Sequence, residues 1–198
     1  MNFTKYVENE KAKLRLANIE ELRKDIDKPW VQEKIQKHVE AFSSIINEEE
    51  VKQGILYNII IASKFCKDPG KQNISEKLAI EVLKVKKLPS FGKNCIRFTP
   101  QGEITAINQG GNTKSADFML DEYYATQKYT KEMGGSQDNQ KQDVRDFLEK
   151  GSINYKVAAI LDGDYWDYWR PILKEEFKNN SNVLITSVTE LTENVDNK

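Results

Sequence analysis

The chain has 198 residues, 38% hydrophobic and 31% charged, and this composition is typical of a globular protein with a substantial core. Its 30 Lys and Arg residues nearly balance 31 Asp and Glu residues, giving a net charge of −1, which excludes a generally basic nucleic-acid coat but not a local basic groove. No apolar run approaches the roughly 20 residues that span a bilayer, and the first residues are polar, so we expect a cytoplasmic protein that does not engage a membrane.

The cysteines and the histidine offer little sign of chemistry. Cys66 and Cys95 lie far apart, and His38 is the only histidine in the chain. These residues support neither a disulfide framework nor a zinc site with the usual ligand spacing. We predict that the cysteines are core or loop residues, and that His38 is a surface or boundary residue rather than a catalytic base.

Residues 1–72 are predicted to form a helical N-terminal part. Apolar residues recur at helical spacing to about Asp27, and a second helix begins at the break around Pro29. A third helix is predicted from Glu48 to Phe65, before the turn formed by residues 68–70.

From residue 73 to the end of the chain, the pattern predicts an α/β domain. A helix capped by Ser75 is followed, after Pro89, by extended segments at 95–98 and 104–107. The later elements are a β-hairpin over 117–129, a helix over 138–150 capped by Ser136 or Asp138, a strand over 155–161, a helix over 165–178, a strand over 183–186 and a short helix from Thr189. This order predicts parallel strands joined by right-handed crossovers, with the hairpin as an antiparallel edge.

The hairpin carries the residues that point to chemistry. Asp117 ends the glycine-rich stretch 110–117 and begins the first strand, while Thr126 and Lys128 lie on the second strand. Because strand side chains alternate, Thr126 and Lys128 share one face and Gln127 points to the other. We expect Asp117, Thr126 and Lys128 to converge, with the charged ends of Asp117 and Lys128 within about 8 Å of each other.

Several motifs, taken in order, resemble the cleavage domain of the restriction enzyme FokI and related PD-(D/E)xK nucleases. They are Gly110–Asp117, Thr126–Lys128, Gly134–Gln137, the helix that contains Gln140, Val157–Gly163 and Asn182–Glu190. Together they span roughly residues 75–190. The resemblance implies a restriction-endonuclease-like mixed sheet flanked by helices. It also implies Mg²⁺-dependent hydrolysis of phosphodiester bonds in double-stranded DNA.

The resemblance assigns roles to individual residues. Asp117 corresponds to the first metal-binding acid and Lys128 to the catalytic lysine, whereas Thr126 stands where the family has its second acid. A hydroxyl is a weaker Mg²⁺ ligand than a carboxylate, so the missing ligand is expected from Asp143 on the following helix or Glu81 on the preceding helix. The residues expected to line the DNA groove are Lys114, Lys131, Gln140, Lys141 and Arg145.

Each of these residues also suits a purely structural role. Asp117 suits the end of a glycine-rich loop, where it accepts backbone hydrogen bonds, Lys128 suits an exposed sheet position, and Asp143 and Glu81 suit solvated helix faces.

Two functions follow. One is a type II restriction endonuclease or its cleavage subunit, and the other is a non-catalytic DNA-binding or assembly subunit that retains the nuclease fold. The aromatic residues of Tyr165–Trp169 suit the core or a subunit interface. In the first case, if this stretch is exposed as we expect, it favours a homodimer or a partner subunit.

Overall fold

The computed structural model describes residues 1–42, 45–131 and 137–195. The chain divides into two compact units, one formed by Tyr6–Ile74 and the other by Met1–Lys5 together with Ser75–Lys198. The division falls close to the boundary between residues 72 and 73 expected from the sequence. The first five residues belong to the α/β unit, where the Phe3 N–H donates to Thr189 Oγ1 at 3.1 Å.

The helical unit contains α1 (Phe3–Lys24, which begins in the other unit), α2 (Pro29–Ala41), α3 (Glu48–Tyr57) and α4 (Ile59–Phe65). Its core is formed by apolar residues at helical spacing, among them Ile19, Leu22, Val31, Ile35, Val51 and Ile55. Pro29 occupies the start of α2, where its missing N–H costs nothing and its fixed φ suits a helix.

The prediction of one helix from Glu48 to Phe65 is wrong because the chain breaks at Asn58. The Asn58 N–H donates to the Gly54 carbonyl at 2.9 Å, which closes α3. Its side-chain oxygen accepts from the N–H groups of Ile60 at 2.9 Å and Ile61 at 3.3 Å, which caps α4. An asparagine therefore ends one helix and starts the next, a role that apolar periodicity does not reveal.

The positions expected for the cysteines and the histidine are confirmed. Cys66 and Cys95 are buried free thiols. His38 is half-buried, with its ring 5.0 Å from that of Phe42 and 5.1 Å from that of Phe65. Among the described residues, no helix has both the length and the apolar character that crossing a membrane would require.

The α/β unit is built on two sheets. The elements in chain order are α5 (Ile74–Leu83), β1 (Lys86–Lys87), β2 (Arg97–Phe98), β3 (Ile104–Thr105), β4 (Lys114–Ser115), β5 (Phe118–Leu120), β6 (Tyr123–Tyr129), α6 (Gln137–Gly151), β7 (Val157–Asp162), α7 (Asp164–Glu176), β8 (Val183–Thr186) and α8 (Val188–Val195). The larger sheet has the order β1-β5-β6-β7-β8, and the smaller has the order β3-β2-β4. The expectation of a mixed sheet flanked by helices and preceded by a helical part is confirmed.

The predicted hairpin and the parallel strands are present, but the hairpin is not the sheet edge. β5 and β6 pair antiparallel, and β6, β7 and β8 pair in parallel. The edge is instead the two-residue strand β1, in which Lys86 pairs with Met119. Two consecutive lysines carry no alternating apolar signal, so the sequence pattern did not predict this strand.

Strand register decides which face of the sheet holds the predicted site. Tyr124, Thr126 and Lys128 of β6 lie beside Val157, Ala159 and Leu161 of β7. This face packs against α6 and α7 through a core that includes Val144, Phe147, Leu148, Trp166 and Leu173. The hairpin residues of interest therefore point toward the helix that follows them.

Two predicted helix caps are wrong. Ser75 lies inside α5, which begins at Ile74, and Asp138 lies inside α6, which begins at Gln137. Ser136 falls outside the described residues, as do Gly134 and Gly135 of the quoted motif. The final two helices begin one residue earlier than predicted, at Asp164 and Val188.

The expectation that the stretch Tyr165–Trp169 is exposed is also wrong. Tyr165 and Trp166 are buried in the core, and of the four aromatic residues only Tyr168, 56% exposed, reaches solvent freely. Helical periodicity separates these neighbours because residues three and four apart share a face. The aromatic run therefore gives little support to a subunit interface.

The carboxyl ends of β6 and β7 are tied together by residues 130 and 162–163. The Thr130 N–H donates to the Asp162 carbonyl at 3.1 Å. Gly163 has a φ of +100°, and a Cβ at this position would lie 2.3 Å from the Thr130 carbonyl oxygen. Only glycine satisfies both the left-handed backbone and the close approach.

The buried Asp162 side chain binds the first N–H group of α8. Its two carboxylate oxygens accept from the Val188 N–H at 3.2 and 3.3 Å. Burial raises the pKa of this carboxyl from 3.8 to about 7, although the Val188 hydrogen bond and the Arg170 charge oppose the shift. The protonated form is therefore substantially populated at neutral pH.

Candidate active site

Asp117 and Thr126 are joined directly across the hairpin. The Asp117 N–H donates to the Ala125 carbonyl at 2.7 Å, which continues the ladder beyond β5. Asp117 Oδ2 accepts from Thr126 Oγ1 at 2.9 Å and from the Gln127 N–H at 2.8 Å. The carboxylate is therefore fixed by the neighbouring strand and not by the glycine-rich loop before it.

Lys128 lies on the same face, and its charge reaches Asp117. Burial raises the pKa of the Asp117 carboxyl, and the positive charge of Lys128, followed by the Gln127 and Thr126 hydrogen bonds, opposes that rise. Among the described residues the Lys128 ammonium group forms no hydrogen bond and no ion pair. The prediction that Asp117, Thr126 and Lys128 share one face is confirmed.

The acid that α5 brings toward Asp117 is Glu76, which no sequence motif marks. Its negative charge adds to the rise in the Asp117 pKa, and its Oε1 lies 2.8 Å from Lys87 Nζ. Glu81 is exposed and five residues further along the helix, which corresponds to a rotation of about 140°. Helix geometry thus separates the two acids, but the sequence could not show which of them faces the hairpin.

A cavity of about 290 Å³ opens beside Thr126 and Lys128. It is lined by residues from β2, β4, β6 and α6 and by the glycine-rich loop, and its charged lining residues are Arg97, Lys114, Lys128 and Asp143. The structure thus brings Asp143 to the same cavity as Thr126 and Lys128. Arg97 had not been identified from the sequence, because a single arginine in a two-residue strand carries no recognisable motif.

Asp143 is held by Lys114. Asp143 Oδ1 lies 2.5 Å from Lys114 Nζ, and Asp146 Oδ2 lies 3.3 Å from the same nitrogen. Burial lowers the pKa of Lys114, but the two carboxylates outweigh it and raise the pKa above its ordinary value. Asp143 is therefore neutralised by a lysine, and Lys114 is occupied by carboxylates.

The remaining residues predicted to contact DNA lie around the start of α6. Lys141 is 3.3 Å from Asp138 and 3.7 Å from the centre of the Trp169 ring, and Arg145 is 2.8 Å from Glu176. Gln140 accepts from Thr130 Oγ1 at 2.9 Å, and Lys131 is exposed. Lys141 and Arg145 are directed to α7, whereas Lys114 lines the cavity, so the structure does not gather these residues into one groove.

The oxygen atoms available near Lys128 suit a hard divalent cation. Within the described parts of the chain, no cluster of three or more His, Cys, Asp or Glu residues would enclose a metal with protein ligands alone. Mg²⁺ does not need such a cluster, since it commonly binds one or two carboxylates and completes its shell with water and substrate phosphate. Asp117 and Glu76 offer two carboxylates, of which Glu76 also pairs with Lys87.

The chain was compared with protein families, curated proteins and solved structures. No family model, no curated protein and no solved structure matches it.

Proposed function

We propose that the α/β unit is a Mg²⁺-dependent deoxyribonuclease of the PD-(D/E)xK type, acting on double-stranded DNA as a type II restriction endonuclease or its cleavage subunit. The observation that carries the proposal is the joining of Asp117 and Thr126 beside the unpaired Lys128 at the mouth of a polar cavity. The antiparallel hairpin continued by parallel strands, packed against α6 and α7, is consistent with a restriction-endonuclease-like fold.

Each residue then has a defined task. Asp117 and Glu76 would hold the cation, which when bound polarises the phosphate and activates a water molecule. Lys128 places its ammonium group where it stabilises the negative charge that develops on the phosphate. Thr126 orients Asp117 by donating to Oδ2 and leaves Oδ1 for the cation. In this proposal Glu76 supplies the second metal-binding carboxylate, because Thr126 stands where the family has that acid.

One observation favours the alternative, a non-catalytic DNA-binding or assembly subunit that retains the fold. Thr126 stands where the family has an acid, and Asp143, which lines the same cavity, is bound by Lys114. A site with too few free carboxylates would hold DNA without cutting it. The two functions make opposite predictions for cleavage and the same prediction for binding.

The deciding experiment is cleavage of supercoiled plasmid and linear duplex DNA in Mg²⁺ and in EDTA. We expect Mg²⁺-dependent cleavage, and we expect Asp117→Asn to reduce its rate by about two to three orders of magnitude because the anionic ligand is lost. Duplex binding by the same variant should be retained or improved, since an anion leaves a phosphate-facing site.

Asp121→Asn is the matched control. It makes the same chemical change at the exposed turn of the same hairpin, where φ is +49° and asparagine is well tolerated. Cleavage by Asp117→Asn at the wild-type rate would remove the assignment. Binding without any cleavage by the wild type would favour the non-catalytic subunit.

The proposal also includes a homodimer or a partner subunit on DNA. One site of this kind cuts one strand, so a double-strand break needs two sites or two successive nicks. Light scattering of the protein with and without a duplex measures the assembly. A mass that stays at one chain on DNA, together with nicked products only, would exclude a dimeric nuclease.

A further inference from the structure

The charges around the 290 Å³ cavity do not cancel locally. Lys114 and Lys150 are balanced by Asp143 and Asp146, which lie within 2.5 to 3.8 Å of them. Arg97 and Lys128 also line the cavity, and among the described residues neither of them has an ion-pair partner. Two cations thus lack a direct ion pair at one small polar cavity.

The Arg97 guanidinium group has a hydrogen-bond donor for which the described residues provide no acceptor. Its Nη2 donates to the Ser90 carbonyl at 3.2 Å, which fixes the guanidinium group. Its Nε is buried and has no hydrogen-bond acceptor among the described residues. A buried N–H without an acceptor costs free energy, so an anion that supplies one is stabilised in return.

The other lining groups also suit an oxyanion. The side chains of Thr113 and Ser115 carry hydroxyl donors, and Gly110 and Gly111 have no heavy atom within 4 Å of an added Cβ, so a ligand can approach the backbone there. Arginine forms planar, charge-assisted hydrogen bonds to phosphate, and hydroxyl groups complete the shell of oxygen atoms.

We propose that Arg97, with Lys128 and the hydroxyl groups of this cavity, forms a phosphate-binding subsite for a backbone phosphate next to the one that is cleaved. This inference rests on the proposed function for the identity of its ligand, a nucleic-acid phosphodiester. Arg97 is a binding and positioning residue in this subsite, and Lys128 faces both the subsite and Asp117.

The first test uses inorganic phosphate and the metal-free protein. The Arg97 Nε–H resonance, identified by its loss in Arg97→Lys, should move to higher proton frequency and saturate as phosphate is added, because the buried N–H acquires an acceptor. Chloride at equal ionic strength is the control. An unchanged resonance throughout the phosphate titration would overturn the subsite.

The second test measures duplex binding by fluorescence anisotropy in EDTA at several salt concentrations. We expect Arg97→Met to weaken binding about tenfold and to reduce the slope of log Kd against log salt by about one, as for the loss of one phosphate contact. Lys178→Met, which removes one positive charge from an exposed position, should leave both quantities unchanged. Equal behaviour of the two variants would contradict the inference.

These measurements separate the inference from the nuclease proposal because neither requires cleavage. A protein that binds phosphate through Arg97 but never cuts DNA supports the subsite and defeats the nuclease. A nuclease whose Arg97→Met variant keeps the wild-type affinity and salt slope defeats the subsite alone. Because Arg97→Lys retains the positive charge, it provides a second variant if Arg97→Met fails to fold.

Discussion

The two units pair most of their charges in different ways, among the residues that the structure describes. In the helical unit most ion pairs, such as Lys11–Glu8, Lys13–Glu10 and Lys37–Glu33, join residues three or four positions apart in the chain, although Arg15–Asp68 and Lys67–Glu21 do not. In the α/β unit most ion pairs, such as Lys87–Glu76, Lys114–Asp143 and Arg145–Glu176, join different elements. Local pairs on exposed helices contribute little, whereas pairs between elements also determine where each charge is held.

The second difference lies in burial. The α/β unit encloses two acidic side chains, Asp117 and Asp162, each with a raised pKa, and leaves Arg97 and Lys128 without ion pairs among the described residues. Perturbed acids beside cations that lack an ion pair are typical of sites that bind or react. The comparison therefore favours the α/β unit as the place of the proposed site, and the following substitutions test that proposal.

The largest expected effect comes from Asp162→Asn. The folded-state pKa of about 7 lies above the ordinary value of 3.8, so the folded state binds more protons and the free energy of unfolding falls as pH rises through that window. The Asp162 share of this loss is roughly 4 kcal/mol. The Asp162→Asn variant keeps an acceptor for the Val188 N–H but has no carboxyl to titrate. Its free energy of unfolding should therefore not show this part of the decrease with pH.

Urea unfolding of wild type and Asp162→Asn between pH 4 and pH 8 measures the difference. Asp117 adds a loss of the same sign in both proteins, because burial raises its pKa as well. Parallel stability curves for the two proteins would show that Asp162 does not titrate in this window.

The next effect concerns the two acids of α5. We expect Glu76→Gln to lower the cleavage rate by about 10- to 100-fold, as for loss of a group that supports a metal, and Glu81→Gln to leave it unchanged. Because Glu76 raises the Asp117 pKa, its removal should also move the acidic limb of the pH–rate profile to lower pH. A larger loss for Glu81→Gln would restore the assignment made from the sequence.

A third substitution places a carboxylate at residue 126, where the family has its second acid. Thr126→Glu should bind Mg²⁺ about tenfold more tightly by calorimetry, because an additional anionic ligand then stands beside Asp117. Since residue 126 is 3% exposed, the variant should also be less stable in EDTA and recover in Mg²⁺. Thr126→Val, which removes the hydroxyl without adding a ligand, should gain no affinity, and an equal gain would refute the missing-ligand argument.

The smallest effects compare one lysine from each unit. Lys114→Met leaves Asp143 and Asp146 without their shared cation and should lower the free energy of unfolding by about 1 kcal/mol. Lys37→Met in the helical unit should leave the urea midpoint unchanged, because its pair with Glu33 is exposed. Equal losses of stability in the two variants would mean that ion pairs between elements stabilise the fold no more than exposed pairs within one helix.

The sequence predicted the elements that have strong periodicity. Alternation identified β6 and the face shared by Thr126 and Lys128, and the order of strands and helices indicated the parallel part of the sheet. These features depend on neighbours along the chain, which a pattern can register.

The residues that were missed depend on tertiary contacts. β1 exists because Lys86 and Lys87 meet β5, and Glu76 matters because α5 directs it toward Asp117. Lys114 and Arg145 were expected at a DNA surface, but their intramolecular partners, Asp143 and Glu176, lie about 30 residues further along the chain and are invisible in local sequence. Charge alone identifies a candidate, and only packing shows whether that charge is already engaged.

The close approach at Gly163 limits how this protein can vary. Any side chain at residue 163 meets the Thr130 carbonyl, while residues 110 and 111 have open space around them. In a library covering every substitution, position 163 should accept glycine alone, whereas position 111 should accept many residues. The contact between residue 163 and Thr130, at the ends of β6 and β7, would then be the least variable point of the domain, although glycine has no reactive side chain.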